Sequence, residues 1–252
     1  MSGAAEFYRD RHARDADYAG GTYDLASLFR HRAFRRWAGQ LSEEGPALLD
    51  VGLGKGKLIR GVATELDRLA KPARRIVGLD LVESPGHVFD ALPAFEFHQQ
   101  DLDGRDLPLD TDSMDLVICN HVLEHVFETE HLVRELCRIT APSGLCVIGV
   151  PNIAAWVNRV AFALWGNPPL GSELGTESIT YGFRPRFLQS KLAGFRPSSH
   201  IRDFVPRGLS DLSEACGFRT LGWWKQDFGL LARVHPWASR NMAILLEPSP
   251  KP

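Results

Sequence analysis

Two hydrophobic periods alternate along most of this chain. From Gly45 onward, short apolar runs end at polar or glycine residues. Each is followed by a stretch whose apolar positions recur every three or four residues. Ala47-Leu48-Leu49-Asp50-Val51 is the first run, and Leu58, Ile59, Val62, Ala63, Leu66 and Leu69 then mark a helix. The same reading predicts strands over 75–80, 95–99 and 114–119. Leu132, Val133, Leu136 and Ile139 define a helix that Pro142-Ser143-Gly144 stops, and 145–150 is an almost purely apolar fifth strand. Apolar strands alternating with amphipathic helices predict an α/β fold, with a parallel sheet covered by helices on both faces.

The two flanks read differently. Before Gly45, Leu25, Leu28, Phe29, Arg32, Phe34 and Trp37 follow helical spacing, behind a segment holding Tyr8, Tyr18 and Tyr23. This predicts an N-terminal helical cap over 1–40, packed on the domain edge or closing over a ligand. The main domain then spans 41–252. After Pro151, 153–165 is a strongly apolar helix candidate, and 166–199 is rich in Gly, Pro and Ser. We read about 152–205 as an insertion after the fifth strand, gating a site. A helix over 207–216 and strands over 219–225 and 242–247 close the chain.

Composition narrows the function classes. A length of 252 residues with 44% hydrophobic positions suits one large domain, and a net charge of −2 favours neither nucleic acid nor an anionic membrane. Pro151, Asn152, Asn158 and Arg159 interrupt the apolar stretch 145–165, which argues against a membrane span. Residues 1–17 lack a signal-peptide pattern, and Cys119, Cys137, Cys146 and Cys216 form no CxxC pair. Free thiols in a cytoplasmic protein are expected.

The chemistry concentrates at strand ends. Asp50-Val51-Gly52-Leu53-Gly54-Lys55-Gly56 closes the first strand and opens a helix, where glycines let a ligand approach the backbone. A phosphate loop needs four residues between its first Gly and Gly-Lys, then Ser or Thr. Here three separate Gly52 from Gly56, and Leu58 follows Lys57. A dinucleotide fingerprint would need glycine at Lys57. GxGxG after an acidic residue instead suits S-adenosylmethionine. Asp80 ends the second strand, where a carboxylate can accept ribose hydroxyls. Asp101, followed by Leu102, comes after the third, and Asn120 ends the fourth. Each alone reads as a cap or turn residue. The ordered set points to a ligand.

Residues 47–150 resemble the core of class I S-adenosylmethionine-dependent methyltransferases, including the ubiquinone-biosynthesis and methionine-biosynthesis-W-like groups. LLDVGLGKG, GLD, HQQDL and MDLVICNHVLEHV carry the likeness, while Leu81-Val82-Glu83-Ser84-Pro85-Gly86 departs from it. The resemblance implies a Rossmann-like seven-stranded sheet with the last strand antiparallel. It also implies S-adenosylmethionine as cofactor, bound by Asp50, Gly52, Gly54, Gly56, Asp80, Asp101, Leu102 and Asn120. The favoured activity is O-methylation of a small molecule of sugar, glycolipid, quinone or natural-product type. The alternative is a non-catalytic cofactor-binding partner of the methionine-biosynthesis-W type. An RNA methyltransferase is disfavoured by the charge. Partners are thus a small-molecule acceptor and, left open, a second copy of the chain.

Histidines supply the catalytic candidates. His121-Val122-Leu123-Glu124-His125 puts three ligating side chains at i, i+3 and i+4, on one face if a helix starts there. His200 resembles a position where several relatives place a site histidine. His121 and His200 are taken as acid/base or acceptor-positioning residues. Some relatives hold a divalent metal with Glu-x-x-Glu-His and a distant His. Glu124, His125 and His200 match that pattern but His121 does not, so no metal is assigned, and Glu124 and His125 are expected to orient the loop. Trp156, Phe162 and Trp165 read as core or partner-facing aromatics. Arg184, Arg186, Arg196, Arg202 and Arg207 read as a mostly solvated basic face.

Overall fold

The computed structural model describes residues 24–82, 92, 94–165, 200–225 and 239–250. Seven strands form a single sheet: β1 (Ala47–Val51), β2 (Arg75–Asp80), β3 (Phe95–Gln99), β4 (Met114–Asn120), β5 (Thr140–Pro151), β6 (Phe218–Lys225) and β7 (Asn241–Pro248). Their order is β3-β2-β1-β4-β5-β7-β6. The ladders from β3 to β5 are parallel, and β7 runs antiparallel to both β5 and β6. The fold is therefore the Rossmann-like, mostly parallel sheet that the alternation and the resemblance implied.

The apolar residues of β1, β2, β4 and β7 are buried because helices cover both faces. On one side α1 (Leu25–Arg30), α2 (Arg32–Gln40) and α3 (Lys57–Arg68) bring Leu28, Phe34, Trp37, Ile59, Val62 and Leu66 into a cluster with Leu48, Ile118 and Val147 of the sheet. On the other, α4 (Thr129–Ile139) and α6 (Pro206–Ala215) bring Leu132, Val133, Leu136 and Leu209 against Leu49, Val117 and Ile148. Burial at about 25 cal/mol per Å² makes these two seams the main source of stability.

Local departures from the sequence reading have physical causes. The preamble is two helices, broken at His31, whose backbone is extended at ψ 133 and whose Nδ1 accepts the Ala33 N–H at 3.2 Å. The indole N–H of Trp224 in β6 reaches the Ser27 hydroxyl at 2.8 Å, tying α1 to the sheet edge. Leu69 is not on the buried face of α3; it follows the helix end and is 54% exposed. Helix α4 stops at Ile139, before Pro142-Ser143-Gly144. Those residues bulge out of the β4–β5 ladder between the pairs Met114–Thr140 and Leu116–Leu145, a place that tolerates a proline without an N–H. The stretch 145–165 divides into the end of β5, a turn, and α5 (Trp156–Trp165). In that turn the Asn152 side chain accepts the Ala154 N–H at 3.0 Å. Trp156 and Phe162 are exposed rather than core. Among the described residues no helix is long and apolar enough to cross a membrane. Tyr8, Tyr18, Tyr23, Glu83-Ser84-Pro85-Gly86, the gating segment 166–199 with Arg184, Arg186 and Arg196, and the side chain of Trp165 lie outside the described residues.

Candidate active site

The carboxyl ends of β1, β2, β3 and β4 converge on one edge of the sheet, and the loop after β1 forms its floor. The N–H groups of Gly52 and Leu53 both donate to the Leu79 carbonyl, at 2.8 and 3.0 Å, which folds the loop across β2. Gly52 has φ +75, and a Cβ there would meet Val122 Cγ2 at 2.2 Å, so the loop after β4 presses directly against it. Gly54 differs. Its φ is +51 and a Cβ would find nothing within 4 Å, which leaves its backbone open to a ligand. Gly56, also left-handed, offers no side chain to cap α3.

Asp50 takes over that cap. Its carboxyl is buried and accepts the N–H of Ile59, in the first turn of α3. Burial, and then the nearby Asp80 charge, push it well above the usual carboxylate range; the Ile59 bond only partly opposes them. Asp50 thus supports the loop from beneath. Asp80 faces it from above, accepting the Gly54 N–H on Oδ2 at 2.7 Å and the Val82 N–H on Oδ1 at 3.2 Å. Each carboxylate oxygen has further lone-pair capacity, the requirement for receiving a ribose diol. Asp101 accepts the Asp103 N–H at 3.2 Å, in a turn after β3. The Leu102 side chain is buried in the cluster that contains Leu107, Val122 and Leu123. Asn120, nearly buried, ends β4 beside Gly149 of β5. An open glycine backbone beside an acidic strand end fits a nucleoside carrying a small charged group.

The HVLEH segment does not begin a helix. His121 has φ +59 and donates its N–H to the Gly149 carbonyl at 2.8 Å; Leu123–His125 is a single 3₁₀ turn, and α4 starts only at Thr129. The turn sends Val122, Leu123 and Val126 into the core, and residues three apart eclipse in such a turn. His121, just before that turn, has its Nδ1 3.0 Å from Glu124 Oε1. Glu124 is fully buried, and among the described residues its Oε2 has no hydrogen-bond partner. Burial pushes the Glu124 carboxyl up, but the His121 bond and the charges of His121 and His125 outweigh it and hold the group below its usual range. Hydrogen bonds to a charged partner are worth about 1.5–3 kcal/mol, enough to explain how a buried acid remains ionised here.

His200 joins this cluster from far along the chain. Its Nε2 lies 3.9 Å from Glu124 Oε1, and its ring centroid lies 5.0 Å from that of His125. The backbone holds it there: the N–H groups of Ile201 and Arg202 donate to the Glu124 carbonyl at 2.9 and 3.3 Å. Arg202 donates to the Val126 carbonyl at 3.2 Å and the Phe127 carbonyl at 2.5 Å, so it works as a tether and not as part of a basic face. Arg207 is exposed beside Asp211 at 3.7 Å. Sequence reasoning missed the Arg202 tether and the Val122 contact on Gly52. An isolated acid within the apolar run Val122-Leu123-Glu124 was the one signal that Glu124 would be a hub.

Fold and strand-edge loop together define a Rossmann-like domain with a reversed seventh strand and a glycine loop at the end of its first strand. Residues 49–148 match the family described as "Methyltransferase domain". A probable S-adenosylmethionine-dependent methyltransferase of Mycolicibacterium smegmatis is 28% identical over 174 residues, covering 69% of this chain and 61% of that protein. A protein of the same description from Mycobacterium tuberculosis is 29% identical, covering 67% of this chain and 58% of its own. The chain thus spans about three fifths of the length of these curated relatives. Among solved structures, an S-adenosylmethionine-dependent methyltransferase from Mesorhizobium loti superposes with TM-score 0.52 at 18% identity, covering 87% of this chain and 99% of that one. The citrinin polyketide synthase CMeT domain superposes with TM-score 0.57 at 16% identity, over 88% of this chain and 52% of that one. Over residues 49–148 the chain is thus similar to methyltransferase domains, and over about two thirds of its length to S-adenosylmethionine-dependent methyltransferases.

Proposed function

We propose that the protein is an enzyme transferring a methyl group from S-adenosylmethionine to an oxygen of a small molecule of sugar, glycolipid, quinone or natural-product type. The observation that carries this reading is the His121–Glu124 pair, 3.0 Å apart, beside the cofactor loop. The cofactor supplies a methyl group activated on a sulfonium. The chain's task is alignment and removal of one proton. With Nδ1–H donated to the Glu124 carboxylate, His121 is held in the tautomer whose Nε2 accepts a proton, and its side chain is 33% exposed toward an incoming acceptor. The bound cofactor would supply its methyl carbon to the acceptor oxygen, the electron pair of the broken carbon–sulfur bond staying on sulfur. The hydroxyl proton passes to His121 Nε2.

We assign the ribose diol to Asp80, the sulfonium-bearing chain to the backbone around Gly52, Gly54 and Gly56, and the base-binding end of the cleft to Asp101, Leu102 and Asn120. Asp50 supports the loop. The free cysteines, mostly buried, suit a cytoplasmic setting. Titration calorimetry with S-adenosylhomocysteine tests the cofactor assignment. Asp80→Ala should weaken binding by about 1.5–3 kcal/mol, roughly tenfold to a hundredfold. Turnover with a panel of hydroxyl acceptors tests the rest, and His121→Ala should lose about 10²–10⁴-fold in kcat with cofactor affinity retained. Absence of product from every hydroxyl acceptor, or full activity in His121→Ala, would overturn the reading.

A further inference from the structure

We propose that the outward face of α5, together with Ile201 and Val205, is a membrane-surface site that seats on an anionic lipid bilayer. The helix is built inside out. Asn158 and Ala161 are fully buried, and the Asn158 amide donates to the Ile153 carbonyl at 3.0 Å, which fixes the polar residue inward. Trp156, Val160 and Leu164, spaced by four, form a stripe on the other side and are 46%, 42% and 65% exposed. Phe162 adds a second exposed aromatic in the last turn. Ile201 and Val205 lie beside the start of this helix, because Phe204 bridges to Asn152 and its carbonyl accepts the Ile153 N–H at 3.0 Å. Phe204 is buried, and in extended chain its neighbour Val205 faces the opposite way. Of the eight large hydrophobic residues exposed among the described residues, six lie on these two short segments, so the apolar surface is concentrated and not scattered.

The charges around that surface select its occupant. No acid occurs from 136 to 165, and Arg159 is exposed beside the stripe. Arg202 and Arg207 flank Ile201 and Val205, and the carbonyls that hold Arg202 do not neutralise it. Against these three arginines stand Asp203 and Asp211, the latter 3.7 Å from Arg207. The rim is thus positive in a chain whose net charge is −2, and attraction to an anionic surface is local to this face. Apolar residues ringed by arginine match the boundary between acyl chains and anionic headgroups, where tryptophan also sits. Ten residues make α5 about 15 Å long, half of a hydrocarbon core of about 30 Å, so it lies along the surface and does not cross. The segment carrying Ile201 follows His200, whose Nε2 is 3.9 Å from Glu124 Oε1, which sets the bilayer beside the proposed methyl-transfer site.

This inference goes beyond the proposed methyl transfer and is tested by binding alone. The full chain is mixed with vesicles of phosphatidylcholine and phosphatidylglycerol in equal parts, and the bound fraction is read by centrifugation. Binding is expected, stronger than to phosphatidylcholine alone and weakened by salt. Trp156→Ser combined with Leu164→Ser should lower the partition coefficient by more than about tenfold. Arg159→Gln should lower it by about fivefold on the mixed vesicles, and reads the site even if circular dichroism shows the double variant unfolded. Leu69→Ser, at an exposed apolar position beyond the end of α3, should bind as the wild type does. Failure of the wild type to sediment with the mixed vesicles would overturn the inference. So would unchanged binding in the folded double variant. A wild-type dimer that the double variant dissolves, seen by sedimentation velocity without vesicle binding, would assign the face to a second copy of the chain instead.

Discussion

Asp50 and Asp80 are both carboxylates at neighbouring strand ends, yet their surroundings give them opposite tasks. Asp80 is partly exposed and spends its oxygens on backbone N–H groups of the loop, whereas Asp50 is sealed beneath α3. The folded value of Asp50 is raised well above its ordinary 3.8, so the native state holds a proton there that the unfolded chain has released. Stability must then fall as pH rises from about 3.8 through that higher folded value. In cofactor-free protein, Asp50→Asn should remove this slope. The melting temperature of wild type relative to the variant is expected to decline across that window, and parallel pH profiles would show that Asp50 is not buried as described. The loop glycines and the aspartates that end β1 and β2 were legible in the sequence because each sits at the end of an apolar run. The division of labour between the two aspartates was not, since nothing local says which strand end a helix covers. The metal was set aside on the sequence because His121 occupies a carboxylate position. In the fold His121 supports Glu124 through its Nδ1.

Among the elements, α4 is fastened to the loop before β4 by one buried acid. Glu135 accepts from Arg138 Nε at 2.8 Å and Nη2 at 2.7 Å, and from the Leu107 N–H at 2.8 Å. Arg138 in turn donates to the Leu109 and Leu107 carbonyls at 2.9 and 3.1 Å. The loop between β3 and β4 is thereby laced to the helix. The Arg138 bond holds the Glu135 carboxyl below its ordinary 4.5, so its contribution is complete above that pH and is lost as pH falls through the lower folded value. Glu135→Gln should cost about 1–3 kcal/mol at neutral pH by leaving donors unpaired, with the deficit shrinking under acid. Denaturant unfolding at pH 7 and pH 3.5 would read both effects; an equal deficit at the two pH values would contradict the assignment. Strands were the most legible elements, since runs of buried apolar residues leave little choice. Helical spacing misled at two places. The phase continues across His31 although the backbone does not, and HVLEH carries helical spacing but is turned by a left-handed residue.

For the whole molecule, the sheet's sidedness was readable and its strand order was not. Alternation told which residues face a helix, as with Leu48 on one face and Leu49 on the other. No local pattern places β7 between β5 and β6; the family resemblance implied that the last strand is reversed, and its place in the order came from the structure. The placement has a consequence for how the chain reaches its native state. Among the described residues β6 pairs in the sheet only with β7, and β7 is the later of the two in the sequence. During synthesis from the N-terminus, β5 and β6 therefore both leave the ribosome with an open flank that neither can close on the other. The slot waits for an insertion at long sequence separation, which is slow and leaves unpaired backbone exposed in the meantime. Stalled nascent chains ending before Asn241 should be cleaved by protease in the 218–225 segment, and chains extended past Pro248 should be protected there. Equal protection in both would mean that β6 docks before its neighbour arrives. A sheet closed from the inside makes its final strand a keystone, and this protein's exposure to aggregation is set by how promptly that strand is delivered.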